Sequence, residues 1–150
     1  MCRRVLSDKI LDLYLDVLRS EFAWSEAPDG TRVLSTPYEY VTGANIEVAM
    51  WEEDDALWIS DRGGLMQALY YELGEDVFEE YVDVQAALLD SIADGVEFLG
   101  NTFLMETSVE SLGVDLFVLV KALQALQVQA GYWAANWHNY LHEESYYHDD

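Results

Sequence analysis

Two histidines near the carboxyl end of the sequence have the spacing of a metal site. His138 and His142 are four residues apart, so a helix would place both imidazoles on one face, and Glu143 and Glu144 follow directly. Imidazole and carboxylate groups bind zinc or nickel, but a structural zinc site needs four ligands. The sequence offers this pair no clear third ligand. We therefore expect no metal and interpret both histidines as half-buried residues of an amphipathic helix.

The segment Asp61-Arg62-Gly63-Gly64 stands between a predicted strand and a predicted helix. Free N–H groups at a helix N-terminus can hold an anion such as phosphate. A single arginine in a chain of net charge −22 makes that electrostatically unfavourable. Asp61 can instead cap the helix that starts near Leu65, while the glycines allow positive φ in a sharp turn. We expect the cap and turn, with a ligand site as the alternative.

Nucleophilic catalysis lacks its usual residue pattern. Cys2 has no neighbouring histidine motif, and Ser60 and Ser91 lack the strained turn that presents a catalytic serine. Cys2 is also the sole cysteine, so no disulfide can form within the chain, which is typical of a reducing cytoplasm. The charged segment after Met-Cys-Arg-Arg does not resemble a secretion signal. We expect a cytoplasmic protein that is not an enzyme and uses no cofactor.

The strongest chemical signal is a long stretch of acid without base. Between Gly63 and Val120 the sequence has twelve aspartates and glutamates and neither lysine nor arginine. Hydrophobic residues still make up 51% of the chain, so the acids belong to a sequence able to bury a core. We assign partner binding to nine of these acids: Glu72, Glu75, Asp76, Glu79, Glu80, Asp83, Asp90, Asp94 and Glu97.

Rows of carboxylates can imitate a nucleic-acid backbone. Helical side chains four residues apart lie roughly 5 to 6 Å from one another at Cβ, and strand side chains two apart lie about 6.6 Å apart, near the spacing of successive phosphates. The run from Glu72 to Asp83 is the densest. Such a surface attracts a groove lined with lysine and arginine and repels nucleic acid and anionic membranes. The expected partner is therefore the basic groove of a nucleic-acid-binding protein.

Hydrophobic periodicity predicts the elements that must present these acids. Ser7 is a good N-cap for an amphipathic helix over residues 7–22. Alternating residues predict an irregular strand over 31–40 that includes Pro37, a hairpin of 45–51 and 57–60, and a second hairpin of 96–99 and 102–107. Three further helices are predicted over 65–73, 77–94 and about 109–142, the last with a kink or break at Gly131.

These elements predict one α+β domain over residues 1–150. An N-terminal helix is followed by antiparallel β-hairpins that form a small sheet, and two central helices and a long C-terminal helix pack on it. The polar residues 143–150 are expected to form a frayed acidic tail. No eighteen apolar residues run together, so we expect no membrane contact.

Aromatic residues favour a different kind of binding surface. Trp51 shares a strand face with Glu47, and Tyr38 and Tyr40 flank Glu39. Tryptophan and tyrosine mixed with acid on a surface are typical of protein interfaces. The last helix is also rich in aromatic residues. One alternative is thus a non-enzymatic interaction module or a homodimer that uses this helix; another is a haloadapted domain, although haloadaptation would spread the acids evenly.

Five segments of the chain stand in an order and at a spacing that resemble those of a known family. They are Thr36-Pro-Tyr, Leu57-Trp-Ile-Ser-Asp-Arg-Gly-Gly64, Leu65-Met-Gln-Ala-Leu69, Gly95-Val-Glu-Phe-Leu-Gly-Asn-Thr-Phe-Leu and Lys121-Ala-Leu-Gln-Ala-Leu126. Residues 36–126 in this way resemble the bacterial and phage family called domain of unknown function 1828. Gly64 and Leu65 replace the polar pair that this family has after its aspartate and glycine. The resemblance implies an α+β fold and a setting of bacteria, phages and mobile elements, without a catalytic mechanism.

The acidic stretch and the resemblance together give the leading functional hypothesis. The chain is interpreted as a nucleic-acid mimic, encoded by a phage or mobile element, that occupies the DNA- or RNA-binding groove of a host defence protein in the bacterial cytoplasm. An inhibitor of the anti-CRISPR or anti-restriction type is its concrete form.

Overall fold

The fold combines four helices with one antiparallel sheet, as a computed structural model shows for residues 7–82 and 94–147. The elements in chain order are α1 (Asp8–Glu21), β1 (Ala23–Glu26), β2 (Arg32–Glu39), β3 (Asn45–Glu53), β4 (Ala56–Ser60), α2 (Gly64–Leu73), α3 (described over 75–82), β5 (Glu97–Leu99), β6 (Thr102–Thr107) and α4 (Leu112–Tyr147). The predicted α+β class is confirmed.

Six strands form one sheet in the order β1-β2-β3-β4-β6-β5, and every neighbouring pair is antiparallel. Both predicted hairpins are present. The turn of the first is Asp54-Asp55, whose φ angles of 53° and 64° are those of a two-residue type I′ turn. Glu52 and Glu53, predicted to belong to the turn, are instead paired in β3.

One face of the sheet forms the core. The alternation predicted for β3 places Ile46, Val48 and Met50 on this face, and all three are buried. The helices α2 and α4 cover them with leucines at helical spacing. The largest fully buried apolar side chains are Tyr81, Phe103, Ile46, Ile59, Leu65, Leu69, Leu119, Leu123, Leu126 and Val48.

The strand β2 is irregular where the sequence predicts it to be. Its pairing with β3 shifts between Ser35 and Glu39, around Pro37, which has no N–H to donate to a ladder. The buried Thr36 hydroxyl donates to the Ile46 carbonyl at 2.8 Å and accepts from the Tyr38 N–H at 3.3 Å. The side chain thereby replaces part of the interrupted backbone pairing.

Three boundaries differ from the sequence prediction. The sequence analysis predicted no element at the edge strand β1, because its four residues are all exposed and show no alternation of apolar and polar residues. The helix α4 begins at Leu112 rather than near residue 109, since Ser108 to Ser111 form a turn. It continues as one helix through Gly131 and is described as far as Tyr147, so residues 143–147, assigned to a frayed tail, are helical.

Candidate functional site

The acidic track is our name for the nine acids assigned to partner binding. Seven of them lie within the described residues and all seven are exposed: Glu72, Glu75, Asp76, Glu79, Glu80, Asp94 and Glu97. Asp83 and Asp90 lie outside the described residues. The exposed position of these seven acids is what a surface for a charged partner requires.

The helix α3 owes its orientation to one buried tyrosine. Tyr81 is fully buried, its hydroxyl donates to the Leu126 carbonyl of α4 at 3.3 Å, and its ring lies 5.7 Å from the ring of Trp133. Burial raises the pKa of Tyr81 to about 12. Phe78, one turn earlier, meets Tyr70 of α2 edge to face at 5.4 Å. These contacts fix which side of α3 faces the domain.

The acids of α3 occupy the opposite side of that helix. Glu75 and Glu79 are one turn apart, and so are Asp76 and Glu80, so these four carboxylates form two rows at roughly 5 to 6 Å spacing. Glu72 adds a fifth acid at the last turn of α2. The four acids of α3 are thus brought together on one side of that helix.

Two members of the track lie on a different element. Asp94 is in the bend before β5, and Glu97 begins β5, the edge strand of the sheet. Glu97 is paired with Leu104, so its side chain belongs to the sheet face that α2 and α4 leave open. The structure therefore concentrates four of the acids on α3, leaves Glu72 on α2 and sets these two apart beside the sheet.

No basic side chain neutralises the track within the described residues. The two ion pairs there are Arg19–Asp16 at 3.6 Å and Arg62–Asp29 at 4.0 Å, and neither includes an acid of the track. The exposed row on α3 also repels itself, because like charges four residues apart destabilise a helix. The field of the α3 acids is thus directed outward without a local counter-charge.

One exposed aromatic residue of α2 was not singled out by the sequence analysis. Tyr71 is 72% exposed and directly precedes Glu72. Its ring rests edge-on against Tyr70 at 6.0 Å, which holds it in place. The leucine spacing of α2, with Leu65 and Leu69 buried, leaves Tyr71 off the buried stripe, and this signal could have identified it. Tyrosine at an interface commonly contributes much of the binding energy.

The other aromatic residues considered from the sequence are less available. Trp51 is half-buried opposite Trp58, and its indole N–H donates to Glu53 at 3.3 Å. Tyr38 is exposed. Tyr40 is buried in the core and so is not part of an exposed aromatic surface with Glu39.

Asp61 caps α2, as predicted. The residue is buried, and its carboxylate accepts from the Gly63 N–H at 3.0 Å and the Leu65 N–H at 3.1 Å. It also accepts from the Phe103 N–H of β6 at 2.9 Å, a contact between distant parts of the sequence. Burial raises the pKa of this carboxyl, and the N–H donors partly oppose the increase. Asp61 therefore joins β4, α2 and β6 at one point.

A cleft of about 580 Å³ opens beside this cap. Its walls include Tyr40, Glu47, Asp61 and Tyr71. The Asp61 carboxylate already satisfies the N-terminus of α2, and Glu47 adds a second carboxylate to the cleft. The cation that lines it, Arg62, lies 4.0 Å from Asp29, so an anion such as phosphate is disfavoured here. The geometry supports the cap and turn interpretation of residues 61–64.

Metal binding finds no further support. No three histidine, cysteine, aspartate or glutamate side chains come together in a metal-binding arrangement within the described residues. The side chains of His138 and His142 lie outside that part of the structure, so the prediction made for them stays a prediction.

The helix α4 contains a long apolar segment. Leu112–Asn136, 25 residues of mean hydropathy 1.3, has the length and composition of a membrane span, a property that core helices of soluble proteins share. Its inner side supplies Leu119, Leu123 and Leu126 to the core. Core packing thus accounts for part of its apolar composition.

Comparison with known proteins gives no relative for this chain. No family model matches the sequence, and no curated protein or solved structure is similar to it at a level that would show a relationship. The resemblance to domain of unknown function 1828 therefore stays a prediction from the sequence.

Proposed function

We propose that this protein is an acidic inhibitor that mimics nucleic acid and blocks the DNA- or RNA-binding groove of a host defence protein. A phage or mobile element would encode it, and an anti-CRISPR or anti-restriction protein is its concrete form. The observation that carries the proposal is the one-sided row of exposed acids on α3, which is held by Tyr81 and has no local counter-charge among the described residues.

The physical basis is electrostatic complementarity. Carboxylates that are already fixed on a packed helix lose little conformational freedom when a groove of lysines and arginines closes on them. The large net charge of −22 also steers a basic partner from a distance and accelerates association.

Capture from a bacterial lysate tests this function. The immobilised protein is expected to retain nucleic-acid-binding proteins at about 50 mM salt, to lose most of them at about 200 mM, and to release them when duplex DNA is added. The triple variant Glu75→Lys, Glu79→Lys, Glu80→Lys reverses the row on α3. It should lose this capture while it remains folded by circular dichroism.

A matched control separates the position of the charge from its total. Three exposed acids on the strands β1, β3 and β6 can be reversed with the same change in net charge: Glu26→Lys, Glu52→Lys and Glu106→Lys. We expect this variant to capture the same proteins with only a modest loss from weaker steering. Equal loss in both variants, or capture that ignores salt and DNA, would contradict a mimic built on α3.

The alternative interaction module or homodimer through the C-terminal helix has one supporting feature. Along α4, Val114, Phe117, Val128 and Tyr132 are exposed. Deletion of residues 132–150 would not test it cleanly, because Trp133 packs on the core and contacts Tyr81. The substitutions Val128→Gln and Tyr132→Gln spare that contact, and loss of a salt-independent assembly in this variant would favour the alternative.

A further inference from the structure

The helix α1 exposes more apolar surface than its own domain covers. Six of its side chains, aliphatic or aromatic, are each between 41% and 60% exposed: Ile10, Leu11, Leu13, Tyr14, Leu15 and Val17. At helical spacing these positions cover about half of the helix circumference, whereas Asp8, Asp12 and Asp16 lie on the other side. A lone exposed leucine needs no explanation, but a continuous face of this kind marks an interaction surface.

Among the described residues, the contacts of α1 with the domain lie near the end of that helix. Phe22, which follows α1, packs against the core, and Leu15, Arg19 and Phe22 form an apolar groove of about 530 Å³ with Trp24 and Leu34. Trp24 itself is 57% exposed on the edge strand β1. The apolar face of α1 and this groove are continuous, so one partner could cover both.

The distribution of charge points to what that partner is. Over residues 1–22 four basic and four acidic side chains cancel, so the whole formal charge of −22 belongs to residues 23–150. Two copies of this chain repel each other over most of their surface. The neutral N-terminal segment, apolar on one side, lets them meet with less of that penalty; residues 116–142, which contain no acid, are a second such stretch, and a control variant in α4 distinguishes the two.

We propose that α1 is a homodimer interface, in which the helices of two copies pack antiparallel through their apolar faces. This orientation opposes the two helix dipoles favourably. The charged side chains of α1, which lie on the other side of the helix, stay in solvent.

The available area is sufficient for such a dimer. Complete burial of the six side chains would remove at most roughly 1,000 Å² from solvent in the two copies together, which is about the lower bound for a specific interface. Trp24 and the groove beside Leu15 enlarge it. Since apolar burial drives this contact and salt screens the repulsion, the dimer should tighten as salt rises. Binding of a basic partner to the acidic track has the opposite salt dependence.

Sedimentation equilibrium of the full chain tests the proposal. We expect a mass of twice 17.1 kDa at micromolar concentration, with tighter association at about 200 mM than at about 50 mM salt. The variant Tyr14→Gln, Val17→Gln keeps good helix formers on α1. It should weaken the dimer at least about 100-fold, because each substitution acts in both copies.

Two controls make the result specific to α1. Val114→Gln, Val128→Gln removes comparably exposed valines from α4 and should leave the dimer unchanged. In a Cys2→Ser background, Tyr14→Cys on the apolar face should be joined to its counterpart by a short bifunctional maleimide, whereas Asp12→Cys on the polar face should not.

Three outcomes would overturn the proposal. They are a monomer at all salt concentrations, a dimer lost only in the α4 variant, and crosslinking of Asp12→Cys in preference to Tyr14→Cys. A monomer that floats with uncharged phosphatidylcholine vesicles would assign the face to a lipid surface instead. Loss of the α1 dimer need not affect capture of nucleic-acid-binding proteins, so this proposal and the proposed function fail independently.

Discussion

Two buried tyrosines show how one hydroxyl can stabilise a fold and another oppose it. The Tyr81 hydroxyl has the Leu126 carbonyl as its acceptor, whereas the Tyr40 hydroxyl is buried without a hydrogen-bond partner among the described residues. A satisfied hydrogen bond contributes about 1 kcal/mol, and an unsatisfied buried polar group opposes folding by a similar amount or more. We expect Tyr81→Phe to lower the free energy of unfolding by about 1 kcal/mol and Tyr40→Phe to leave it unchanged or raise it. Urea denaturation of both variants measures this contrast.

The pH dependence of the same two variants provides the control. Burial raises the pKa of Tyr81 to about 12, and burial together with the charges of Asp61 and Glu47 raises that of Tyr40. A raised pKa means that the folded state keeps the neutral phenol, so this stabilisation is complete below pH 10 and is lost as pH rises through about 12. The deficit of Tyr81→Phe should therefore shrink above pH 10. A deficit that does not shrink above pH 10 would contradict a raised pKa of the buried Tyr81 phenol.

At the scale of elements, the sequence predicted what periodicity encodes. The hairpins β3–β4 and β5–β6 follow from alternation and from turns such as Gly100-Asn101, whose φ angles are both positive. The strand β1 was not predicted, because backbone pairing to β2 holds it in the sheet and none of its side chains is buried. Helical spacing predicted which side of α3 faces outward. The contact of Tyr81 with α4 fixes that orientation, but it joins distant parts of the chain and has no local signal in the sequence.

The junction of three elements at Asp61 gives a prediction at this scale. Its carboxylate accepts from the N–H groups of Gly63, Leu65 and Phe103, and without it three donors around a buried site lose their partner. Asp61→Ala should cost about 3 kcal/mol or more, at about 1 to 3 kcal/mol per unsatisfied buried donor. Asp61→Asn should cost less, since its amide oxygen still accepts.

Asp29→Ala is the matched control, because Asp29 also accepts a backbone N–H, from Thr31, in an exposed turn. A similar loss in both alanine variants would show that Asp61 is an ordinary turn residue.

At the scale of the whole molecule, the net charge itself limits stability. A formal charge of −22 on 150 residues with two ion pairs in the described part of the chain leaves most carboxylates facing one another through solvent. Composition alone revealed this total. Composition did not reveal that α1 exposes an apolar face, because that exposure follows from how little of the helix the domain covers.

Thermal unfolding at several ionic strengths separates a partner-binding surface from salt adaptation. The screening length falls from about 30 Å at 0.01 M to about 8 Å at 0.15 M, so most of the self-repulsion should vanish over that interval. We expect Tm to rise by about 4 to 8 °C between these concentrations and then to level off, as a gain of roughly 2 kcal/mol in a chain of this size implies. Because dimerisation also depends on salt, the measurement belongs on the Tyr14→Gln, Val17→Gln variant. A haloadapted domain would behave differently, since it would be unfolded at 0.15 M and continue to gain stability into the molar range. That result would remove the physical reason for linking the acids of α3 to a basic partner.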